Sequence, residues 1–356
     1  MKPPNFSCFM QKLLLFGALV ALLFSCKNAP DATALPYLTL EGKTMGTYYR
    51  ITYGDSLNRN FQPDIEQFLQ DFNQEVSTYI PTSTISQFNQ SETGIDIAGK
   101  AYFIGNIEKS RIVFEQSGGA FDPTVMPLVN YWGFGYTPKK PVTQVDSAAV
   151  DSLRRFVGMH LVTLDGTTLR KALPGVQLDF SAIAKGYAID EIAEWLEQRG
   201  VQHYLIDIGG EARAKGGNAR GATWTIGINL PKEDAAATDL QTAVELRNRA
   251  IATSGNYRNF YEVDGVKYGH EINPATGYPK RTRLLSASVF AADCATADAW
   301  ATAFMIMGLE KSLVVAEQLP HIEAYFIYGA PGGDLQTRYT QGLETIFGAE
   351  KQSANQ

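Results

Sequence analysis

Leu178-Asp179-Phe180-Ser181-Ala182-Ile183-Ala184-Lys185-Gly186-Tyr187-Ala188-Ile189-Asp190 decides how this chain folds. A polar Asp-Phe-Ser corner is followed by residues at helical spacing, which places a strand-to-helix junction here. The helix is predicted over 183–199 and stops at Gly200. A buried strand over 201–208 follows, then the corner Asp207-Ile208-Gly209-Gly210-Glu211. Asp179 or Ser181 can cap the helix. Alternatively, free N–H groups at its start, with Lys185 nearby, suit a phosphate. The stretch is not a P-loop, and the Gly-Gly corner lacks the G-x-G-x-x-G of a dinucleotide-binding fold.

Outward from this unit the same alternation continues. Tyr48-Tyr49-Arg50-Ile51-Thr52-Tyr53 has strand composition. Ile65, Phe68, Leu69, Phe72 and Val76 recur at helical spacing, with Pro63 suited to a first turn. Phe103, Ile107 and Phe114 mark a second helix closed by Ser117-Gly118-Gly119, and Val150, Leu153 and Val157 a third. Strands are predicted at 223–229, 285–290 and 322–328, and a helix rich in small residues at 295–307. The polar stretches 216–221 and 231–238 read as surface loops. The fold class is therefore mixed α/β, of the α+β kind, with one domain over 38–349 and a polar tail at 350–356.

Composition agrees. The 356 residues are 45% apolar, with 19 Phe, 17 Tyr and 4 Trp, ample for a large core and incompatible with disorder in the bulk of the chain. The net charge of −6 argues against a nucleic-acid partner, whose footprint would be basic. Three Cys are too few for a disulfide scaffold.

Residues 13–24, LLLFGALVALLF, carry no charge and follow Lys12. Twelve residues are too few to span a bilayer, which takes about 20. They form the apolar core of a secretory signal over 1–25. Leu23-Phe24-Ser25-Cys26 resembles a bacterial lipobox, with Cys26 as the lipidated mature N-terminus; Phe24 is an unusual second residue there. A signal anchor with an unmodified Cys26 is the alternative, and Met10 is a second candidate start. Cleavage removes Lys2, Lys12 and Cys8, leaving a charge of −8 and Cys294 as the sole thiol once Cys26 is modified. Residues 26–37 then tether the domain to a membrane.

Four further stretches break the ordinary pattern. Lys43-Thr44-Met45-Gly46-Thr47 is either a simple turn or a place where backbone approaches a ligand. Gly118 to Gly135 packs aromatics and glycines densely, suiting a flat ring or a core plug alike. Ala252 to Arg258 is followed by Gly269-His270-Glu271-Ile272-Asn273-Pro274-Ala275-Thr276-Gly277-Tyr278-Pro279, strong turn chemistry behind a His. In Ala297-Asp298-Ala299-Trp300-Ala301-Thr302, Asp298 and Thr302 share one helix face within an almost uncharged helix. A buried carboxylate there needs a cation or a metal. Oxygen donors select Mg²⁺ or Ca²⁺ over zinc.

Taken in order, the stretches T-M-G-T, F-D-P-T-V-x-P-L-V-x-x-W-G-F-G, D-F-S-A-I-A-K-G-Y-A-x-D, A-T-S-G-N-Y-R, H-x-I-N-P-x-T-G-Y-P and A-D-A-W-A-T resemble the ApbE family of FAD:protein FMN transferases. The resemblance covers roughly 38–347 and implies a single catalytic domain with two lobes around a flavin cleft. It implies a FAD site at Met45, Tyr79, Ala120, Phe121, Asp122, Asp179, Lys185 and His270. It implies Mg²⁺ at the Ala182 carbonyl, Asp298 and Thr302. Ala182 stands where some members carry a hydroxyl residue, and Tyr79 where the aromatic varies. The implied reaction moves FMN from FAD to a Thr or Ser hydroxyl of an acceptor flavoprotein and releases AMP. A base must take the hydroxyl proton, and an imidazole suits that task best, so His270 is the first candidate and Asp179 the second. The implied location is the bacterial cell envelope, facing the periplasm on a lipid anchor. The alternatives are a Mg²⁺-dependent FAD pyrophosphatase and a non-catalytic FAD-binding lipoprotein.

Overall fold

Residues that alternate between two apolar environments organise the structure. Along Ile322–Gly329, Ala324 and Phe326 face one side while Tyr325 and Ile327 face the other. Along Arg249–Gly255, Ala250 and Ala252 face the first side and Ile251 the second. This period of two belongs to a sheet buried on both faces. The computed structural model describes residues 35–137, 145–232, 239–256, 260–263 and 266–347. The signal segment, Cys26, most of the tether, residues 233–238 of the predicted loop, Tyr257, Arg258 and the polar tail lie outside them. Among the described residues no helix is long and apolar enough to cross a membrane.

The strands in chain order are β1 (Tyr37–Thr44), β2 (Thr47–Gly54), β3 (Gly94–Asp96), β4 (Val162–Asp165), β5 (Thr168–Lys171), β6 (His203–Ile208), β7 (Glu211–Lys215), β8 (Trp224–Asn229), β9 (Leu240–Leu246), β10 (Arg249–Gly255), β11 (Phe260–Val263), β12 (Val266–Gly269), β13 (Leu284–Ala291), β14 (Ile322–Gly329) and β15 (Leu335–Tyr339). Eight form the main sheet in the order β1-β2-β6-β7-β10-β13-β14-β15, every neighbour antiparallel. β3, β4 and β5 make a small sheet, and β8-β9 and β11-β12 are hairpins. The antiparallel pairing makes the fold α+β and removes the parallel switch point that a dinucleotide fold would use.

The helices are α1 (Gln62–Val76), α2 (Thr84–Gln90), α3 (Ala101–Ser117), α4 (Met126–Tyr131), α5 (Ser147–Arg154), α6 (Ala184–Gln198), α7 (Cys294–Met307), α8 (Leu309–Gln318) and α9 (Glu344–Phe347). α7 lies directly on the sheet against β10 and β13, with α6 beside it. Small residues meet there: Ala297, Ala301 and Ala303 on the helix, Ala250, Ala252 and Ala287 on the strands, all fully buried. The opposite sheet face is covered by β8-β9 and α9 through Trp224, Val244 and Phe347.

Expected elements appear with small shifts. The predicted helix 183–199 runs from Ala184 to Gln198, and the strand 201–208 from His203 to Ile208. α5 ends at Arg154, short of Val157. The junction itself differs from expectation. Asp179 accepts bonds from the Ser181 N–H (2.8 Å) and hydroxyl (2.5 Å) in a local turn, and the α6 N-cap, Ile183, has no side-chain cap. The α6 amides are largely spent as well. The Ala184 N–H bonds the Phe180 carbonyl, and the Gly186 N–H donates to Asp298 Oδ2 at 3.1 Å. The helix start is thus anchored to the protein, not left open as a phosphate cradle.

Gly186 also fixes how closely α6 approaches α7. A Cβ there would lie 2.4 Å from the Cys294 carbonyl oxygen and 2.8 Å from the Ala295 nitrogen. Ala in place of Gly inside a helix normally gains about 1 kcal/mol. Here the clash is with backbone, so overpacking of about 1–3 kcal/mol should win. Gly186→Ala is expected to lower the melting temperature in thermal unfolding, and a stabilised variant would contradict the packing argument.

Candidate active site

A cavity of about 410 Å³ opens where the end of β10, the start of α6, one face of α7 and the loops at 120–125 and 270–274 converge. Its wall includes Tyr79, Ala120, Phe121, Asp122, Asp179, Ala182, Lys185, His270, Asp298 and Thr302. These positions come from distant parts of the chain and meet on one surface. Met45 lies instead in an adjoining cavity of about 770 Å³. Tyr79, Ser181 and Lys185 line both cavities, so the two share this wall. Met45 and Gly46 are the two central residues of the β1-β2 hairpin, with φ of 50° and 73°. Both backbones are left-handed, as a tight primed turn requires.

Asp298 is 3% exposed and is placed by two devices. One is the Gly186 N–H. The other is Asp190, whose two carboxylate oxygens accept the Cys294 and Ala295 N–H groups at 2.8 Å each and so hold the first turn of α7. Arg213 neutralises Asp190 at 2.7 Å. Thr302, one turn beyond Asp298, has its Oγ1 3.2 Å from Ser254 Oγ on β10.

Lys185 Nζ meets Glu211 Oε1 at 2.8 Å. Burial opposes the Lys185 charge, but Glu211 and Asp298 outweigh it and raise its pKa. Burial pushes the Glu211 carboxyl up to about 7, with Lys185 pulling it down and Asp298 pushing it further up. Burial also raises Asp298, against the pull of Lys185. Two buried carboxylates thus share one ammonium, and Glu211 Oε2 has no hydrogen-bond partner. Two carboxyl groups and one ammonium meet in a poorly solvated place, an arrangement that fits a further cation. Among the described residues no three His, Cys, Asp or Glu side chains gather as a metal cluster. Ala182, Asp298 and Thr302 line the same cavity and bring a carbonyl, a carboxylate and a hydroxyl, hard oxygens of the kind Mg²⁺ prefers.

Asp179 is held from behind. Its N–H donates to the Pro123 carbonyl at 2.7 Å. The preceding Leu178 is gripped by Asn89, which accepts its N–H at 2.7 Å and donates to its carbonyl at 2.9 Å. Burial raises the Asp179 pKa in spite of the two Ser181 bonds. His270 is partly open, with its ring 6.3 Å from that of Phe134 in an edge-on contact. The Asn-Pro-Ala-Thr-Gly turn behind it is fixed by the Gly277 N–H to the Asn273 carbonyl (2.7 Å) and by Trp132 Nε1 to the Gly277 carbonyl (2.7 Å). Tyr79 is 69% exposed at the rim.

Sequence reasoning did not assign Glu211, Asp190, Ser254 or Glu271 to the site. The Gly-Gly corner before Glu211 was a usable signal; Asp190 looked like one acid on a helix, and its role depends on α7 more than 100 residues away.

Asp122 Oδ1 accepts both the N–H (2.8 Å) and the hydroxyl (2.6 Å) of Thr124. Burial nonetheless pushes its carboxyl up to about 6. A carboxyl with a higher pKa folded than unfolded favours the folded state fully below about pH 4, and that contribution is lost as pH rises through 6. In denaturation measured from pH 4 to 7, the wild type should therefore lose on the order of 2–3 kcal/mol relative to Asp122→Asn. Parallel pH profiles would show that Asp122 does not titrate in this range.

The model of the ApbE family matches residues 45–326. The FAD:protein FMN transferase of Vibrio cholerae is 37% identical over 317 residues, covering 87% of this chain and 92% of that protein. The FAD:protein FMN transferase of Haemophilus influenzae is 37% identical over 336 residues, covering 91% and 95%. Among solved structures, the flavin transferase ApbE from Vibrio cholerae superposes with a TM-score of 0.79 at 34% identity, covering 88% of this chain and 99% of that one. The apo flavinyl transferase ApbE of Pseudomonas stutzeri gives 0.80 at 31%, covering 89% and 99%.

Proposed function

The chain belongs to the ApbE family, and from that premise we propose that it is a FAD:protein FMN transferase acting on a Thr or Ser hydroxyl of an acceptor flavoprotein, with Mg²⁺ as cofactor and AMP as the released product. The observation that carries this reading is the convergence of Asp179, Lys185, His270, Asp298 and Thr302 on one cavity.

In the proposed reaction the acceptor oxygen forms a bond to the phosphorus of the FMN half of FAD. The bond from that phosphorus to the bridging oxygen breaks, and the oxygen leaves with AMP. The hydroxyl proton passes to His270, with Asp179 as the second candidate base. Mg²⁺ held by Asp298, Thr302 and the Ala182 carbonyl would neutralise charge on the pyrophosphate. Lys185 adds a fixed positive charge beside that position, and its bond to Glu211 keeps the ammonium from swinging away. Asp298 is oriented before any ligand arrives, so little reorganisation is needed during reaction.

Incubation with FAD, Mg²⁺ and a Thr-containing acceptor protein distinguishes the outcomes. Flavin fluorescence that stays on the denatured acceptor supports the transferase. Free FMN without labelled acceptor supports a pyrophosphatase, and unchanged FAD a binding protein. His270→Ala should lower the transfer rate by roughly 10²–10⁴-fold with far less effect on FAD affinity.

The cation site gives a separate test. Asp298→Ala and Asp298→Asn should each reduce transfer by at least about 100-fold, because the anionic charge is lost in both. Thr302→Ala should be milder, since a neutral hydroxyl contributes less to a hard dication. Turnover measured against Mg²⁺ concentration reads this, and wild-type Mg²⁺ dependence in Asp298→Asn would remove the carboxylate from the proposed ligand set.

The envelope location also belongs to the proposal. A diacylglycerol on Cys26 would hold the processed protein to the membrane. Cys26→Ser should abolish acyl labelling and release or trap the protein unprocessed; labelling that persists would place the lipid elsewhere.

A further inference from the structure

Glu271 follows His270 directly and lines the same cavity wall. Its side chain is 5% exposed, and its Oε1 lies 3.5 Å from His270 Nε2. That oxygen is fully shielded and has no hydrogen-bond partner. A buried carboxylate oxygen without a donor is costly unless it serves another group. Its backbone is fixed as well: the Lys280 N–H donates to the Glu271 carbonyl at 2.8 Å, and Ile272 pairs with Pro279. The Glu271 backbone is therefore tied into its own turn, and a movement of about 0.5 Å at the imidazole would complete a hydrogen bond. Contacts of this kind are often long in an unliganded site and tighten when substrate binds.

We propose that Glu271 is the positioning residue of His270, accepting its Nε2–H so that Nδ1 is the nitrogen that takes the acceptor hydroxyl proton. The inference rests on the reading of His270 as the base. The Phe134 ring edge on His270 and the Glu271 carboxylate together restrict the imidazole to one orientation. When Nδ1 receives the proton, the imidazolium holds two N–H groups, one of them directed at the carboxylate, which lowers the cost of the charge in the cavity. In this role Glu271 accepts a hydrogen bond and the transferred proton stays on the imidazole. This is the base-plus-orienter logic found wherever an imidazole activates a hydroxyl.

The test compares His270→Ala, Glu271→Gln and Glu271→Met in the full-length enzyme, with FAD, Mg²⁺ and a Thr-containing acceptor protein. Gln keeps the shape and loses the charge, and Met removes the polar oxygens at similar length. Both are expected to lower kcat by roughly 10–100-fold with KM for FAD within about twofold. The melting temperature should stay level or rise, because both variants remove a buried carboxylate that lacks a full set of partners. Turnover within about twofold of wild type in both Glu271 variants, beside an inactive His270→Ala, would overturn the role of Glu271 and leave His270 as the base. A fall in kcat accompanied by a lower melting temperature in both would make Glu271 a structural residue and overturn the proposal. An active His270→Ala would remove the base, and with it the need for an orienter.

Discussion

The hydrogen bond from the Gly186 amide to Asp298 is the constraint on which the rest depends. It needs α6 and α7 so close that residue 186 has no room for a side chain. It also needs α7 to lie low on the sheet, which alanines on both surfaces allow. Asp190 completes the arrangement from α6 by capping α7 with both carboxylate oxygens. One helix therefore sets the position, tilt and axial register of the other. Asp298 and Thr302, a turn apart on α7, inherit that placement, and their positions do not depend on a ligand to order them.

The same packing explains the electrostatics. Asp298 is deep because α7 is deep, and Glu211 is deep because β7 lies inside the sheet. Lys185 projects from the first turn of α6 onto Glu211, and Asp298 also favours its charge. A single ammonium cannot satisfy two carboxylates in a medium of low polarity, and the unpartnered Glu211 Oε2 shows the shortfall. An apolar core of the same volume would be at least as stable. Retaining the charges makes physical sense where a cation and a pyrophosphate complete the set, and rule-breaking of this kind is expected at functional sites.

Much of this was legible in the sequence, and the parts that were not share a cause. Period and punctuation placed α1, α3, α6, α7, β6, β13 and β14 within a residue or two, because each carries a long apolar pattern with a clear stop. The motif stretches placed ten of the eleven expected FAD and metal residues on one cavity, with Met45 next door. Glu211 escaped because its neighbours look like a turn, and its burial depends on β7 lying between β6 and β10, a pairing that only the fold shows. Asp190 escaped because helix capping across two elements has no local signature. The expected phosphate cradle at the α6 start failed for a related reason: the sequence shows that amides exist there, but only the fold shows that Asp298 already accepts one.

Two different supports meet at the cavity. The cation side rests on the sheet and two packed helices, where the Gly186 amide holds Asp298 and Ser254 lies beside Thr302. The His270 side rests on the 270–279 loop, stiffened by its own turn and by Trp132. A loop can yield by fractions of an ångström where a helix packed on a sheet cannot. An incoming protein chain must reach the phosphorus from solvent, and His270, Phe134 and the exposed Tyr79 belong to the accessible part of the wall. In the proposed reaction the rigid side would hold the pyrophosphate and the adjustable one would meet the acceptor. Phosphoryl chemistry depends on positioning above all, so this division places accuracy at the phosphorus and tolerance at the entering hydroxyl.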